Sequence, residues 1–186
     1  MHLRKTLPLL LGALLLVALA PACSNEEVES TTSTTPSTTS STTTSTTFGP
    51  SAETVKIEMP SVAKTLHKVG KDDTITYGAN QLVGPATVLG QPASVEILGS
   101  VNYISGSGPF TGFLTVTWAD GSSVGFSILG QAKQSTDGSS TIDSAMTYIG
   151  GSGSYVDSKL AGKFSGSRTA VVGTPITIEL TLEVLS

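Results

Sequence analysis

An antiparallel all-β domain, closed into a barrel of about eight strands or, alternatively, built as a β-sandwich, is what the larger C-terminal part of this chain predicts. Ile176, Ile178, Leu180, Leu182 and Val184 alternate with Thr177, Glu179, Thr181 and Glu183, the period-two pattern of a strand with one apolar and one wet face. Asp120-Gly121, Asp137-Gly138 and Gly150-Gly151 punctuate the sequence between such runs. Short strands at hairpin spacing favour antiparallel neighbours, and eight is about the number at which a barrel interior fills with side chains or holds one small ligand.

Taken in chain order, a weak strand is expected over Val55–Met59. Ser61–Lys71 is ambiguous, because Val62, Leu66 and Val69 fall at helical spacing and allow one or two turns of helix. A strand follows near Thr74–Asn80, and the Gly-Pro and Gln-Pro pairs between Gly84 and Pro92 predict a loop. The next four strands rest on alternation: Val95/Ile97/Val101/Tyr103, Leu114/Val116/Trp118, Val124/Phe126/Ile128 and Ile142/Met146/Tyr148. Trp118-Ala119-Asp120-Gly121-Ser122 is the strongest hairpin signal. Leu160–Arg168 and the alternating C-terminal run complete the eight.

The N-terminal part has a different character. Arg4-Lys5, an apolar run from Leu7 to Ala20 and then Ala22-Cys23-Ser24 have the layout of a lipoprotein export signal over residues 1–22. The apolar run is shorter than the roughly 18–20 residues of a stable membrane-spanning helix. Cys23, the one cysteine of the chain, stands at the expected cut, where its sulfur would be alkylated by diacylglycerol. Ala20 departs from the leucine usual at that position, and Pro21 is also atypical. Two acyl chains hold a protein far better than one, since each buried methylene contributes about 0.8 kcal/mol. The implied partner is the membrane, reached through this lipid anchor, and the implied location is the extracytoplasmic face of the cell membrane. With Cys23 lipidated, no thiol remains for a disulfide, a metal or redox chemistry.

Residues 23–52 then form a tether. Glu26, Glu27 and Glu29 precede a Ser/Thr run from Ser30 to Thr47 broken by Pro36, a composition too poor in apolar surface to offset its own chain entropy. A flexible segment of this length spans roughly 30 Å, and its threonines are candidates for O-glycosylation. Residues 53–186 are left as the β domain, long enough for a single hydrophobic core. The formal net charge is −4 and grows more negative once the signal is removed, so nucleic acid is not an expected partner.

An internal echo links two segments 45 residues apart: Tyr103-Ile104-Ser105-Gly106-Ser107-Gly108-Pro109-Phe110 and Tyr148-Ile149-Gly150-Gly151-Ser152-Gly153-Ser154-Tyr155. Each is expected to end a strand, turn through small residues and resume on an aromatic. Neither is a phosphate loop, because Thr111 and Val156 replace the third glycine of GxGxxG. The second copy, followed by Ala161-Gly162-Lys163-Phe164-Ser165-Gly166-Ser167-Arg168, resembles the G-G-[ST]-G-x-[FY] turn and Gly-x-aromatic strand of the allene oxide cyclase/dirigent barrel superfamily. The resemblance covers residues 94–186, with about two extra residues between Tyr155 and Gly162. It implies an eight-stranded, calycin-like antiparallel barrel with an apolar cavity, and an activity that shapes cyclisation or coupling of apolar substrates. No catalytic residue of that family maps onto a motif here.

Reactive clusters are sparse. His67 sits among Lys64, Lys68 and Lys71, the pattern of a solvated face, and lacks an obvious carboxylate partner for general-base work. No GxSxG elbow and no spaced set of metal ligands occurs, so neither metal nor cofactor is expected. Asp72-Asp73 reads as a turn. Glu96 and Asn102 share a strand face with Leu98 and Ile104, opposite Val95, Ile97, Val101 and Tyr103. If that face lined a barrel, they would be pocket residues, and desolvation would raise the carboxylate's pKa. The simpler reading places them on an outward, wet face. Trp118, Tyr103, Tyr148 and Phe126 are expected in the core or at its rim.

These readings converge on a lipid-anchored extracytoplasmic protein whose barrel binds an apolar small molecule, a lipid or a protein partner without catalysis. A cofactor-free cyclase or isomerase of the allene oxide cyclase type is one alternative, and a structural or adhesive module with a filled core is another. What the barrel contains distinguishes them.

Overall fold

A computed structural model of the chain describes residues 52–185; the expected export signal, Cys23 and the expected tether lie outside the described residues, except Ala52, which opens the first strand. The expected all-β antiparallel architecture is present. Nine strands run β1 (Ala52–Met59), β2 (Ser61–Val69), β3 (Ile75–Val88), β4 (Gln91–Ile104), β5 (Gly108–Trp118), β6 (Ser123–Gln134), β7 (Ser140–Ser152), β8 (Lys159–Arg168) and β9 (Ile176–Leu185). They form one curled sheet in the order β1-β9-β8-β7-β6-β5-β4-β3-β2, every neighbouring pair antiparallel.

Nine strands rather than eight are present because Ser61–Val69 is a further strand, separated from β1 by Pro60. A proline has no N–H to donate to a ladder, so pairing is interrupted there. Before Pro60 the chain pairs with β9, from Ala52 opposite Glu183 to Met59 opposite Ile176. After it the chain pairs with β3. The Val83 N–H donates to the Pro60 carbonyl (3.2 Å), and β1 lies against β3, so the two edges of the curled sheet meet at this break.

Two expectations between residues 61 and 92 are corrected. Ser61–Val69 is a strand and not a helix. Its only ladder partner is β3, most of both its faces are exposed, and the Val62/Leu66/Val69 spacing therefore does not mark a buried stripe. Gly84–Pro92 is not a loop, because β3 runs to Val88 and a two-residue turn at Leu89-Gly90 returns the chain as β4. Both prolines avoid the usual conflict with a ladder. Pro85 lies beyond Leu82, the last residue paired with β2, and Pro92 lies one residue before β4 begins to pair with β5.

The hairpin signals at Asp120 and Asp137 produce matching turns. In the first, the Trp118 N–H donates to the Ser122 carbonyl (2.9 Å) and the Gly121 N–H to the Trp118 carbonyl (3.0 Å). In the second, Ser135 and Ser139 play the same parts, and Gly138 takes the positive φ that Gly121 takes in the first. Each aspartate accepts from the following serine's N–H (2.9 Å in both) and from its hydroxyl.

The echo proves unequal. Ser105-Gly106 is a tight two-residue turn with both φ values positive, the geometry that matches strand twist. Gly150, Gly151 and Ser152 instead remain in β7, paired with β6, and the chain turns only at the short 3₁₀ segment Gly153–Tyr155. Ile149 is skipped in that pairing, since Tyr148 opposes Phe126 while Gly150 opposes Gly125, and its side chain is exposed.

Inward residues of all strands except β2 build one core, including Ile57, Met59, Val95, Leu114, Phe126, Ile178 and Leu180. One end of the barrel is plugged: the Trp118 and Tyr155 rings stack with centroids 4.1 Å apart, and the Trp118 Nε1–H donates to the Val88 carbonyl (3.1 Å). Ala52, Leu185 and the Leu89-Gly90 turn belong to this plugged end; the Glu53 carboxylate accepts the Leu89 N–H there.

Candidate functional site

At the opposite end the packing is incomplete. A cavity of about 50 Å³ opens between the inner faces of β3, β4, β5, β7, β8 and β9 and the connection between β8 and β9. Its walls are mainly apolar, with Ile97, Val101, Phe110 and Phe164 prominent, and Phe110 and Phe164 stack at 6.2 Å. Glycines make the space. Gly99 and Gly112 face each other across β4 and β5 on the inner side, where no side chain enters the lumen. Gly130 is covered by the Phe110 ring, whose Cζ would stand 2.1 Å from an added Cβ.

Polar groups converge on one side of the cavity: Asn80, Tyr103, Arg168 and Thr174. Arg168 continues the alternation of β8, in which Leu160 and Phe164 are buried, and is itself 4% exposed. Its Nε–H donates to the Ala170 carbonyl (2.8 Å), and one terminal nitrogen donates to the Ser140 hydroxyl (3.1 Å). The guanidinium carbon lies 5.9 Å from the Tyr103 ring centroid, within range of a cation–π contact. Burial raises the Tyr103 phenol pKa and lowers that of Arg168, and each group partly offsets the other's shift. Asn80 is buried and its Oδ1 accepts the Ser61 hydroxyl (2.6 Å).

The segment from Thr169 to Pro175 lies over this end. Val172 packs on the core, and Val172, Gly173 and Thr174 line the cavity. Two cations hold the segment: Arg168 through Ala170, and Lys64 through the Gly173 carbonyl (3.0 Å). Thr174 closes a local turn by donating its hydroxyl to the Val171 carbonyl (2.8 Å).

The sequence-derived pocket candidates lie elsewhere. Val95, Ile97, Val101 and Tyr103 form the inward face of β4, so Glu96 and Asn102 belong to the outer face. Glu96 is half-buried and accepts from the Gln81 amide on the neighbouring strand; Asn102 is exposed. His67 stacks on the exposed Tyr77 ring (5.3 Å), an outer-surface pair. Cys23, the expected lipidation site, lies outside the described residues. Among the described residues no group of three His, Cys, Asp or Glu side chains is placed to hold a metal ion, and no helix is long and apolar enough to cross a membrane. Arg168 and Asn80 were not singled out from the sequence. The available signal was the period of two by which Arg168 shares a face with Phe164 on β8 and Asn80 shares one with Leu82 on β3.

A packed antiparallel β-barrel, plugged at one end and holding a small, polar-tipped cavity at the other, is the class of protein that fold and site define. No protein-family model matches the chain, and a comparison with curated proteins gave no match.

Proposed function

We propose that this chain is a lipid-anchored extracytoplasmic protein whose barrel binds, without catalysis, a small molecule or the end of a longer apolar one. The observation that carries the reading is the cavity beneath Thr169–Pro175, a space at one end of the packed core with apolar walls and convergent polar groups. Its size bounds the occupant. About 50 Å³ is room for roughly three or four water-sized centres, well below the roughly 300–1,000 Å³ that encloses a drug-sized ligand. Cys23 and the signal-like residues before it support the anchor.

The cyclase or isomerase alternative has less support. The carboxylate that motivated it, Glu96, lies on the far side of the sheet from the cavity, and no carboxylate among the described residues lines that space. The kinship with allene oxide cyclase and dirigent barrels remains a proposal, supported by the antiparallel meander from β3 to β9 and by the glycines of β7 and β8. A protein-partner reading draws on a different observation. Leu98 and Phe113, directly paired on the outer face of β4 and β5, are each more than half exposed, with Leu129 on the adjacent strand.

Native mass spectrometry of the segment Ser45–Ser186, which contains all nine strands, tests the leading reading. After incubation with envelope lipid extract, binding predicts an added mass that is lost on denaturation. A bare mass throughout would replace the binder with a filled-core interaction module. For the anchor, a Cys23→Ala variant expressed in a lipoprotein-processing host should leave the membrane fraction. Unchanged fractionation would overturn that part.

A further inference from the structure

The cavity holds a charge that its own walls do not neutralise. Arg168 is the sole charged residue lining it among the described residues, and its partners, the Ala170 carbonyl, the Ser140 hydroxyl and the Tyr103 phenol, are neutral groups. No carboxylate among the described residues pairs with it. An arginine does not shed its proton, and taking an ionised group out of water costs several kcal/mol even after relaxation. Bracing the Thr169–Pro175 segment needs only a neutral donor to Ala170. An ionised guanidinium buried at the edge of an apolar space is instead the arrangement that recognises an anion by paired, charge-assisted hydrogen bonds.

We propose that the cavity seats a monocarboxylate with a short apolar body, its carboxylate on Arg168 and its hydrocarbon against Ile97, Val101, Phe110 and Phe164. This rests on the reading of the cavity as a ligand site. One cation matches one negative charge, whereas a phosphate dianion would call for a second cation. Among the described residues no second cation lines the cavity. Most of the walls beyond this polar side are apolar and suit a methylene chain.

The test is an NMR titration of Ser45–Ser186 with hexanoate, 1-hexanol and inorganic phosphate, following the amides of Ile97, Phe164 and Thr174. Hexanoate should bind at least about tenfold more tightly than 1-hexanol, the size expected of hydrogen bonds to a charged group. Arg168→Gln should erase that preference, lowering hexanoate affinity about tenfold more than it lowers 1-hexanol affinity, and Arg168→Lys should retain part of the preference. Equal affinity for hexanoate and 1-hexanol would overturn the carboxylate assignment and leave the ligand cavity standing. No binding of either would overturn both. Phosphate binding as tightly as hexanoate would also overturn the proposal, by showing a simple anion site to which the apolar walls contribute nothing. If Arg168→Gln fails to fold, the comparison of hexanoate with 1-hexanol on the unaltered chain still decides.

Discussion

Adding one methyl group at Gly112 should damage the barrel far more than adding one at Gly162, although both glycines face inward from strands. A Cβ built on Gly112 stands 2.1 Å from the Leu98 carbonyl oxygen and 2.8 Å from the Gly99 Cα. These are backbone atoms of the paired strand, so the methyl fits only if β4 and β5 separate where they bend. A Cβ on Gly162 meets the Leu182 Cδ2 and the Met146 Cε at 3.0 Å, the ends of flexible side chains. Neither glycine has a positive φ, so backbone strain does not enter. Overpacking costs about 1–3 kcal/mol, and the rigid partner puts Gly112→Ala at the top of that range. Relief of chain entropy returns about 0.4–1 kcal/mol to either variant. The balance is about 2 kcal/mol lost for Gly112→Ala and near zero for Gly162→Ala. For a domain of this size that lowers the Tm of the first by about 6–10 °C. Urea titrations of Ser45–Ser186 with equal m values would measure the difference directly. Equal stabilities would refute the argument that the Gly99–Gly112 pair is held in place by close backbone approach.

Other outcomes follow from the same structure. The hydrogen bonds from Ser122 and Ser139 hold the Asp120 and Asp137 carboxyls below their usual 3.8, so their stabilisation is present above that value and is lost as pH falls through the lower, folded-state pKa values. Replacing both with Asn should flatten the fall of stability below about pH 4 in acid-denaturation curves. Trp118→Phe removes the donor to the buried Val88 carbonyl and should cost about 1–3 kcal/mol in urea unfolding, without altering the hexanoate titration at the other end. Glu96→Gln, on the outer face, should leave ligand affinity within twofold of the unaltered chain, a roughly 0.4 kcal/mol tolerance, and a larger loss would bring that carboxylate back into consideration.

What was legible in the sequence was whatever the chain settles locally. The Asp120 and Asp137 hairpins follow from a side-chain acceptor, a glycine in the left-handed region and a serine donor within five residues. The alternation of β9 and β4 placed their inner faces correctly because those strands are wet on one side and dry on the other. β2 carried no such signal, because burial does not distinguish its two faces. The loop expected at Gly84–Pro92 failed for a reason that lies outside the segment: whether a proline is tolerated depends on where the neighbouring strands stop. The second glycine run misled because its turn is delayed to Gly153, where Tyr155 is drawn onto Trp118 by a contact with a strand far away in sequence. Arg168 stood in register with Leu160 and Phe164 but ends a glycine-interrupted strand, and a cation at a strand end ordinarily marks the strand's exit into water.

The placement of both described chain ends at the plugged end of the barrel bears on how the protein can be held. Ala52 pairs beside Glu183, and Leu185 lies opposite Lys159, so a purification handle or a sensor-chip linker joined at either described end is attached beside the wall sealed by Trp118 and Tyr155. The cavity lies at the other end from both points of attachment. Random coupling through lysine amines would behave differently. Lys64 braces the segment over the cavity, so derivatising its amine would loosen that segment and crowd the opening together.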